Sequence, residues 1–222
     1  TNEKSDEHCV STEYHVATNG NDSNPGTQAA PLCTIQRAAD LAQPGDIITV
    51  HEGVYHEHVN PPRGGESDTK RIVYQAATGE KVEIKGSEVI KNWIKYQDDV
   101  WKVILPNSYF GSINPYSELI SGGWFDSKGR DHHPGAVYLN GEWFDEADGL
   151  DKVLEPVGTN QMWFAHADRH NTTIFAQFKG VNPNEQMVEI NVRWTVFYPE
   201  EPGMNYITVR GFTLRQAATQ WA

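Results

Sequence analysis

The stretch "DIITVHEGVYHEHVNPPRGGESDTKRIVYQ", Asp46 to Gln75, decides the fold, because it holds two similar β-rich runs joined by a polar loop. The first run, at residues 47–50, and the second, at residues 72–75, start 25 residues apart. Each coil of a β-solenoid buries its apolar face only against neighbouring coils, and a spacing of this size falls within the length of such a coil. The sequence therefore predicts a parallel β-helix.

A short helix is predicted just before this stretch. In "CTIQRAADLAQPGD", apolar residues recur at helical spacing from Ile35 to Leu41, Thr34 is the expected N-cap, and Pro44-Gly45 ends the run. The preceding loop, "TNGNDSNPGT" at residues 18–27, is rich in turn-forming residues and lacks the spacing of a calcium or phosphate loop. We expect a strand, a turn and a capping helix that cover one end of the β-helix.

The middle of the chain changes character. "VWKVILPN", "GAVYLNGEWFDEAD", "NQMWFAHA" and "NTTIFAQF" have the alternation of antiparallel strands, with Asn140-Gly141 as a hairpin turn. The predicted organisation is a disordered arm at 1–13, a parallel β-helix at 14–86, an inserted antiparallel domain at 87–186 and a resumed, truncated parallel β-helix at 187–222. Because a solenoid that stopped at Ala222 would expose an unpaired edge, we expect the chain to be the N-terminal portion of a longer protein.

Charge and composition exclude several classes of protein. Thirty Asp and Glu against 18 Lys and Arg give a net charge of −12, which opposes binding to nucleic acid and to anionic membranes. No apolar run is long enough to span a membrane, and the start of the chain lacks a signal-peptide pattern. Seven Trp and nine Tyr suit either a β core or a carbohydrate-active protein whose aromatic rings stack on sugars.

The compartment is predicted from this composition and from the cysteines. We expect a secreted, periplasmic or cell-surface protein from which any export signal has been removed. Cys9 and Cys33 are a candidate disulfide if the N-terminal arm folds back, but two reduced thiols are also consistent with the sequence.

A first group of candidate site residues lies in "HEGVYHEHVNPPRGGESD". If residues 54–59 form a strand, alternation sends His56 and His58 to one face and Glu57 to the other. Glu57 and Arg63 are candidate sugar-binding groups at the edge of a groove, since a carboxylate and a guanidinium both hydrogen-bond hydroxyl groups. A solvated strand face with a salt bridge explains the same residues.

A second group precedes the predicted hairpin, in "GRDHHPGAVYLNG". Adjacent histidines in a strand point to opposite faces, so His132 and His133 do not form a ready metal pair, and one can reach a ligand while the other packs. The sequence assigns no metal site. The sequence has no nucleophile elbow, zinc-type spacing or dinucleotide fingerprint, and its many carboxylates single out no glycosidase pair.

An ordered set of motifs resembles a known family. From Tyr14 to Ala222 the chain is similar to the N-terminal part of glycoside hydrolase family 120 β-xylosidases, in which a right-handed parallel β-helix is interrupted by a β-sandwich. The motifs are "YHVATNGNDSNPGT", "APLCTIQRAADLAQPGDIITVHEGVYHEHVNPPRGG", "RIVYQAATGEKVEIKGSE", "GRDHHPGAVYLNG" and "YITVRGFTLRQAATQWA".

The resemblance implies a reaction and a set of supporting residues. It implies a retaining β-xylosidase with an Asp nucleophile and a Glu acid/base on coils beyond Ala222, so no catalytic residue is assigned here and this chain alone is expected to be inactive. The substrate-binding candidates are Glu57, Arg63, His132, His133, Gln220 and Trp221. The resemblance implies that no cofactor is required. It also implies an oligomer that is associated with calcium. The expected partners are an oligosaccharide or polysaccharide, further copies of the chain, or the remainder of the parent protein.

Two alternatives remain open from the sequence. A polysaccharide lyase can use the same solenoid, with a Lys, Arg or His that abstracts the proton next to a uronate carboxylate. A non-catalytic carbohydrate-binding surface protein would use the same aromatic residues and acidic loops without any reaction.

Overall fold

The computed structural model of the protein describes residues 10–220. By their contacts the described residues divide into two compact units: unit 1 holds those up to Ile84 together with Val196–Arg215, and unit 2 holds Lys85–Thr195 and residues 216–220. Most of the regular structure is β-strand, so the all-β prediction is confirmed. The domain boundaries placed at residues 86 and 186 stay predictions. Between residues 10 and 220, no helix is long and apolar enough to cross a membrane.

Unit 1 is built from short strands and one helix. They are β1 (Glu13–Val16), α1 (Ile35–Leu41), β2 (Ile47–Val50), β3 (Gly53–His56), β4 (Ile72–Ala76), β5 (Val82–Lys85), β15 (Ile207–Arg210) and β16 (Phe212–Arg215). Four strands form a parallel sheet in the order β1-β2-β4-β15, and three form a sheet in the order β16-β5-β3. Residues of the predicted N-terminal arm take part, since Thr12 N donates to the Asp46 carboxylate and β1 starts at Glu13.

The register between β2 and β4 corrects the predicted spacing. Ile48 lies opposite Tyr74 and Ile47 lies opposite Val73, so the step is one residue longer than the 25 read from the sequence. Both Ile48 and Tyr74 are fully buried. A shift of one residue would exchange the two faces of a strand, so burial of the Tyr74 ring beneath Ile48 selects the observed register. The predicted strand at residues 54–59 is also shorter, because β3 ends at His56.

The helix α1 follows the sequence prediction closely. Thr34 is extended and its hydroxyl accepts the backbone N–H of Arg37, which is the expected N-cap arrangement. Ile35 and Ala38 are buried, and the helix ends at Leu41, before Pro44-Gly45. The predicted helix and its N-cap are therefore confirmed, and its role in covering one end of a β-helix stays a prediction.

Unit 2 contains the remaining elements. They are β6 (Ser87–Val89), β7 (Ile94–Gln97), β8 (Val100–Pro106), β9 (Val137–Leu139), β10 (Glu142–Trp143), β11 (Asp145–Glu146), α2 (Leu150–Leu154), β12 (Met162–Ala167), β13 (Asn171–Gln177) and β14 (Val188–Asn191), with short 3-10 helices at Asn107–Phe110 and Pro183–Glu185. One sheet has the order β10-β9-β14-β6 and the other β11-β12-β13-β8-β7.

Pairing in unit 2 is mainly antiparallel, as predicted for the middle of the chain. Asn140 and Gly141 both have positive φ and join β9 to β10, so the predicted hairpin is confirmed. The strand β14, from the segment assigned to the resumed parallel part, pairs antiparallel with both β6 and β9.

The core of unit 2 draws on both of its sheets. Val137 and Ile190 from the first sheet and Trp163 and Ile174 from the second belong to one buried cluster. Tyr116 is also in this cluster, and its hydroxyl donates a hydrogen bond to the backbone oxygen of Ala136 at 2.8 Å. Burial raises the pKa of Tyr116 well above its ordinary value, so the hydroxyl stays a neutral hydrogen-bond donor.

Candidate functional site

The loop before α1 is an anchor for the helix. The Asp22 carboxylate accepts hydrogen bonds from the backbone N–H groups of Cys33 and Thr34, at 2.8 and 2.9 Å, and from the Thr34 hydroxyl at 2.8 Å. These bonds satisfy donors at the start of the helix. The loop therefore serves as the turn that leads into the helix, as its turn-forming residues predict. Separately, residues 10–220 contain no group of three His, Cys, Asp or Glu side chains suited to a metal ion.

Two of the predicted sugar-binding residues lie at opposite ends of α1. The Glu57 carboxylate accepts the backbone N–H groups of Ile35 and Gln36, each at 3.0 Å. The Arg63 guanidinium donates to backbone oxygens at the other end, at 2.7 Å for Ala42. A negative charge at the N-terminus of a helix and a positive charge at its C-terminus both interact favourably with the helix dipole. The structure thus gives Glu57 and Arg63 a stabilising role, and their sugar-binding role stays a prediction.

A row of polar side chains crosses neighbouring segments of unit 1. His15 Nδ1 lies 3.0 Å from His51 Nε2, and the two rings are stacked. The Glu80 carboxylate accepts the backbone N–H of Glu52 at 2.6 Å and lies 3.3 Å from His51 Nδ1. The bond from Glu52 and then the contact with His51 lower the pKa of Glu80 below its ordinary value. The ionised carboxylate is the form that the fold stabilises.

The other predicted pair, His132 and His133, meets at one carboxylate. Glu146 accepts from His133 Nδ1 at 2.6 Å and from the His133 backbone N–H at 3.2 Å. His132 Nδ1 lies 3.8 Å from the same carboxylate, while His132 Nε2 lies 3.0 Å from the backbone oxygen of Ser127. The two rings therefore have different surroundings, and Glu146, on β11, fixes the position of His133.

These residues line two adjoining pockets within unit 2. One has a volume of about 610 Å³ and the other about 240 Å³, and Arg130, His133 and Glu146 contribute to both. Trp163 lines the smaller pocket from the core side, and Trp143, whose residue surface is 72% exposed, lines it from the solvent side. We call these two pockets together the unit 2 cavity.

Two residues that line the unit 2 cavity each carry a buried nitrogen atom without a hydrogen-bond acceptor. The two atoms are Arg130 Nη1 and Trp163 Nε1. A buried donor without a partner costs about 1–3 kcal/mol, so each such donor in a native protein calls for an explanation. The unit 2 cavity is therefore the candidate binding site in this chain.

Comparison with known proteins agrees with this organisation. A solved structure described as the complex of XylC with xylose is 46% identical to this chain, covers 95% of it and superposes with a TM-score of 0.90. The model for the insertion domain of glycoside hydrolase 120 matches residues 90–162 and 151–190. The chain belongs to glycoside hydrolase family 120.

The family 120 insertion domain contains the unit 2 cavity. Arg130, His132, His133 and Glu146 all lie within the first matched range, and Trp163 lies within the second. In the N-terminal region, a family of unknown function, DUF1565, matches residues 18–61. An uncharacterized protein of Bacillus subtilis (strain 168), YwoF, is 33% identical over 86 residues, which are 39% of this chain.

This family 120 chain spans less than half of the length of the proteins it matches. It covers 36% of the XylC chain and 18% of YwoF. The relationship to glycoside hydrolases is a property of the chain, whereas the activity of the whole protein is a matter for proposal.

The remaining predicted residues either do not line the unit 2 cavity or lie outside the described residues. Gln220 Nε2 donates to the backbone oxygen of Leu119 at 3.1 Å, in an exposed position. Trp221 and Cys9 lie outside residues 10–220. Cys33 is half-buried, with its thiol 3.9 Å from the Thr18 backbone oxygen. The disulfide therefore stays a prediction.

Sequence reasoning missed three members of the cavity. Glu146, Trp143 and Trp163 were not singled out, although Trp143 and Glu146 stand in "LNGEWFDEAD" directly after the Asn-Gly turn. The hairpin signal was the available clue, because a turn brings the segment after it back towards the segment before it. Nothing local in the sequence points to Trp163, which reaches the cavity through the pairing of β11 with β12.

Proposed function

We propose that the protein containing this chain is a glycoside hydrolase that releases xylose from short xylo-oligosaccharides. The observation that carries this proposal is the similarity to XylC, whose solved structure is a complex with xylose. The similarity extends over 95% of this chain at 46% identity. Agreement of fold and of nearly half of the residues over that length supports a shared class of substrate.

The architecture that we propose is a right-handed parallel β-helix interrupted by a β-sandwich. The parallel order β1-β2-β4-β15 supports stacked coils, and parallel crossover connections are nearly always right-handed. The two sheets of unit 2, which contribute to one buried cluster, support a sandwich as the inserted domain. In this arrangement unit 1 provides the coils that precede the inserted domain in the sequence and the coil that follows it.

The proposed reaction is hydrolysis with retention of configuration. Such a reaction needs one carboxylate that attacks the sugar and a second that protonates the leaving oxygen and later activates water. By the family resemblance, an Asp and a Glu on coils later than this chain perform these steps. Association with calcium is a further expectation of the same resemblance, and export from the cytoplasm is expected from the composition and the cysteines.

The experiment that tests this function is product analysis with the complete protein and short xylo-oligosaccharides. We expect free xylose to accumulate and no ultraviolet-absorbing, unsaturated sugar to form. Unsaturated products from a uronate-containing polysaccharide would identify a lyase instead. Binding of the oligosaccharides without any product over prolonged incubation would identify a non-catalytic carbohydrate-binding protein. Either result would overturn the proposal.

A further inference from the structure

The unit 2 cavity has the features of a ligand site in its own right. Two residues of its wall each hold a buried donor without an acceptor, Nη1 of Arg130 and Nε1 of Trp163. Trp163 is only 1% exposed and is held in the core by its neighbours, so its indole N–H cannot turn away to find another acceptor. A ligand that offers oxygen acceptors at this wall would remove the cost of both unpaired donors.

The charges around the cavity decide which kind of oxygen ligand fits. Four carboxylates line the two pockets, against the single guanidinium of Arg130; they belong to Asp131, Asp145, Glu146 and Asp148. This excess of negative charge disfavours an anionic ligand such as a uronate or a phosphate. Hydroxyl groups, by contrast, can accept from Arg130 and donate to a carboxylate at the same time.

An aromatic ring at the mouth of the cavity favours a cyclic sugar over other neutral polar ligands. Trp143 is 72% exposed, whereas tryptophan side chains in folded proteins are on average highly buried. An exposed indole face beside hydrogen-bonding groups suits a pyranose ring, which has one apolar face and a rim of hydroxyls. We propose that the unit 2 cavity binds a neutral pyranose, with Arg130 donating to its hydroxyl oxygens and Trp143 packing against its face.

Glu146 completes the proposed site as an acceptor held in place. Its carboxylate is fixed by the backbone N–H and the ring of His133, so its position does not depend on the ligand. A carboxylate oxygen can accept more than one hydrogen bond, which leaves capacity for a sugar hydroxyl. His133 is thus a positioning residue, and Arg130, Trp143 and Glu146 are the groups that contact the sugar.

The test is fluorine NMR of the complete protein labelled with fluorotryptophan and titrated with xylose. The choice of xylose as the probe rests on the proposed function. The resonances of Trp143 and Trp163 are assigned with the variants Trp143→Phe and Trp163→Phe. We expect both resonances to shift with xylose and to saturate, and we expect glucuronate to need a higher concentration than xylose.

Matched variants separate the proposed contacts from general effects. Arg130→Gln is expected to need about tenfold more xylose for the same shift, which corresponds to about 1.4 kcal/mol. Arg169→Gln, at an exposed arginine of the same unit that lines neither pocket, is expected to titrate as the unaltered protein. Trp143→Ala, at an exposed position, is expected to weaken the response of Trp163 about tenfold.

Three results would overturn the inference: no shift of either resonance in folded protein, an Arg130→Gln titration equal to that of Arg169→Gln, or tighter binding of glucuronate than of xylose. Hydrolysis of an aryl β-xyloside by the same sample keeps the two proposals apart. Hydrolysis without a shift refutes the cavity site alone, and a shift without hydrolysis refutes the proposed reaction alone.

Discussion

Two residues of this chain, Glu57 and Arg63, show that side chains suited to bind a ligand can instead stabilise a helix. Glu57 and Arg63 have the chemistry of sugar-binding side chains, yet each is hydrogen-bonded to backbone groups at one end of α1. A helix of seven residues has few internal hydrogen bonds, so acceptors and donors supplied from outside account for much of its stability.

Replacement of Glu57 by Ala should lower the free energy of unfolding by about 1–3 kcal/mol, because it leaves the N–H groups of Ile35 and Gln36 without their acceptor. Glu52→Ala removes a nearby exposed carboxylate that accepts neither of these bonds, and it serves as the control. Urea denaturation of both variants measures the difference. Equal stabilities for the two variants would contradict the helix-capping role of Glu57.

Glu80 gives a prediction on pH at the same scale. Its pKa is lowered in the folded state, first by the backbone N–H of Glu52 and then by His51, so its contribution is full above the ordinary carboxyl pKa of 4.5. That contribution is lost as the pH falls through the lower, folded-state pKa. The stability difference between the unaltered protein and Glu80→Gln should therefore shrink on acidification below 4.5. Thermal unfolding across that range measures it, and a difference that stays constant would refute the assignment.

At the level of elements, local signals were sufficient for some features and insufficient for others. The helix α1 and the Asn140-Gly141 hairpin were predictable because their caps and turn residues act within a few positions. The register of β2 on β4 was predicted one residue short. The length of the loop between two parallel strands leaves the register open, and the burial of the Tyr74 side chain opposite Ile48 decides it.

Close contacts between backbone segments of unit 1 give a test at this scale. A Cβ atom added at Gly64 would lie 2.2 Å from the backbone oxygen of Asn205, just before β15. The backbone there cannot move without disturbing the pairing of β15 with β4, so Gly64→Ala should destabilise the protein by about 1–3 kcal/mol. Gly158→Ala meets no atom within 4 Å and should be nearly neutral. Chemical denaturation distinguishes them, and a neutral Gly64→Ala would mean that this approach is looser than described.

For the whole molecule, the sequence predicted the class of fold and the family, whereas the cavity required the structure. The family resemblance rested on ordered motifs along the chain, and these survive in a linear reading. Arg130 and Trp163 are separated by many residues and several strands, so their shared cavity becomes visible only when β11 and β12 are paired. The contact of Glu57 with α1 also joins residues that are far apart in the sequence, so the sequence did not predict it.

The central claim is that the protein containing this family 120 chain hydrolyses β-xylosides. The most direct measurement is the rate at which the complete, folded protein releases the phenol from an aryl β-xyloside, beside the matching aryl β-glucoside and aryl α-arabinoside. The account predicts catalytic turnover of the β-xyloside, with the highest kcat/KM of the three. No turnover of the β-xyloside by folded protein, or a clear preference for another glycoside, would contradict it.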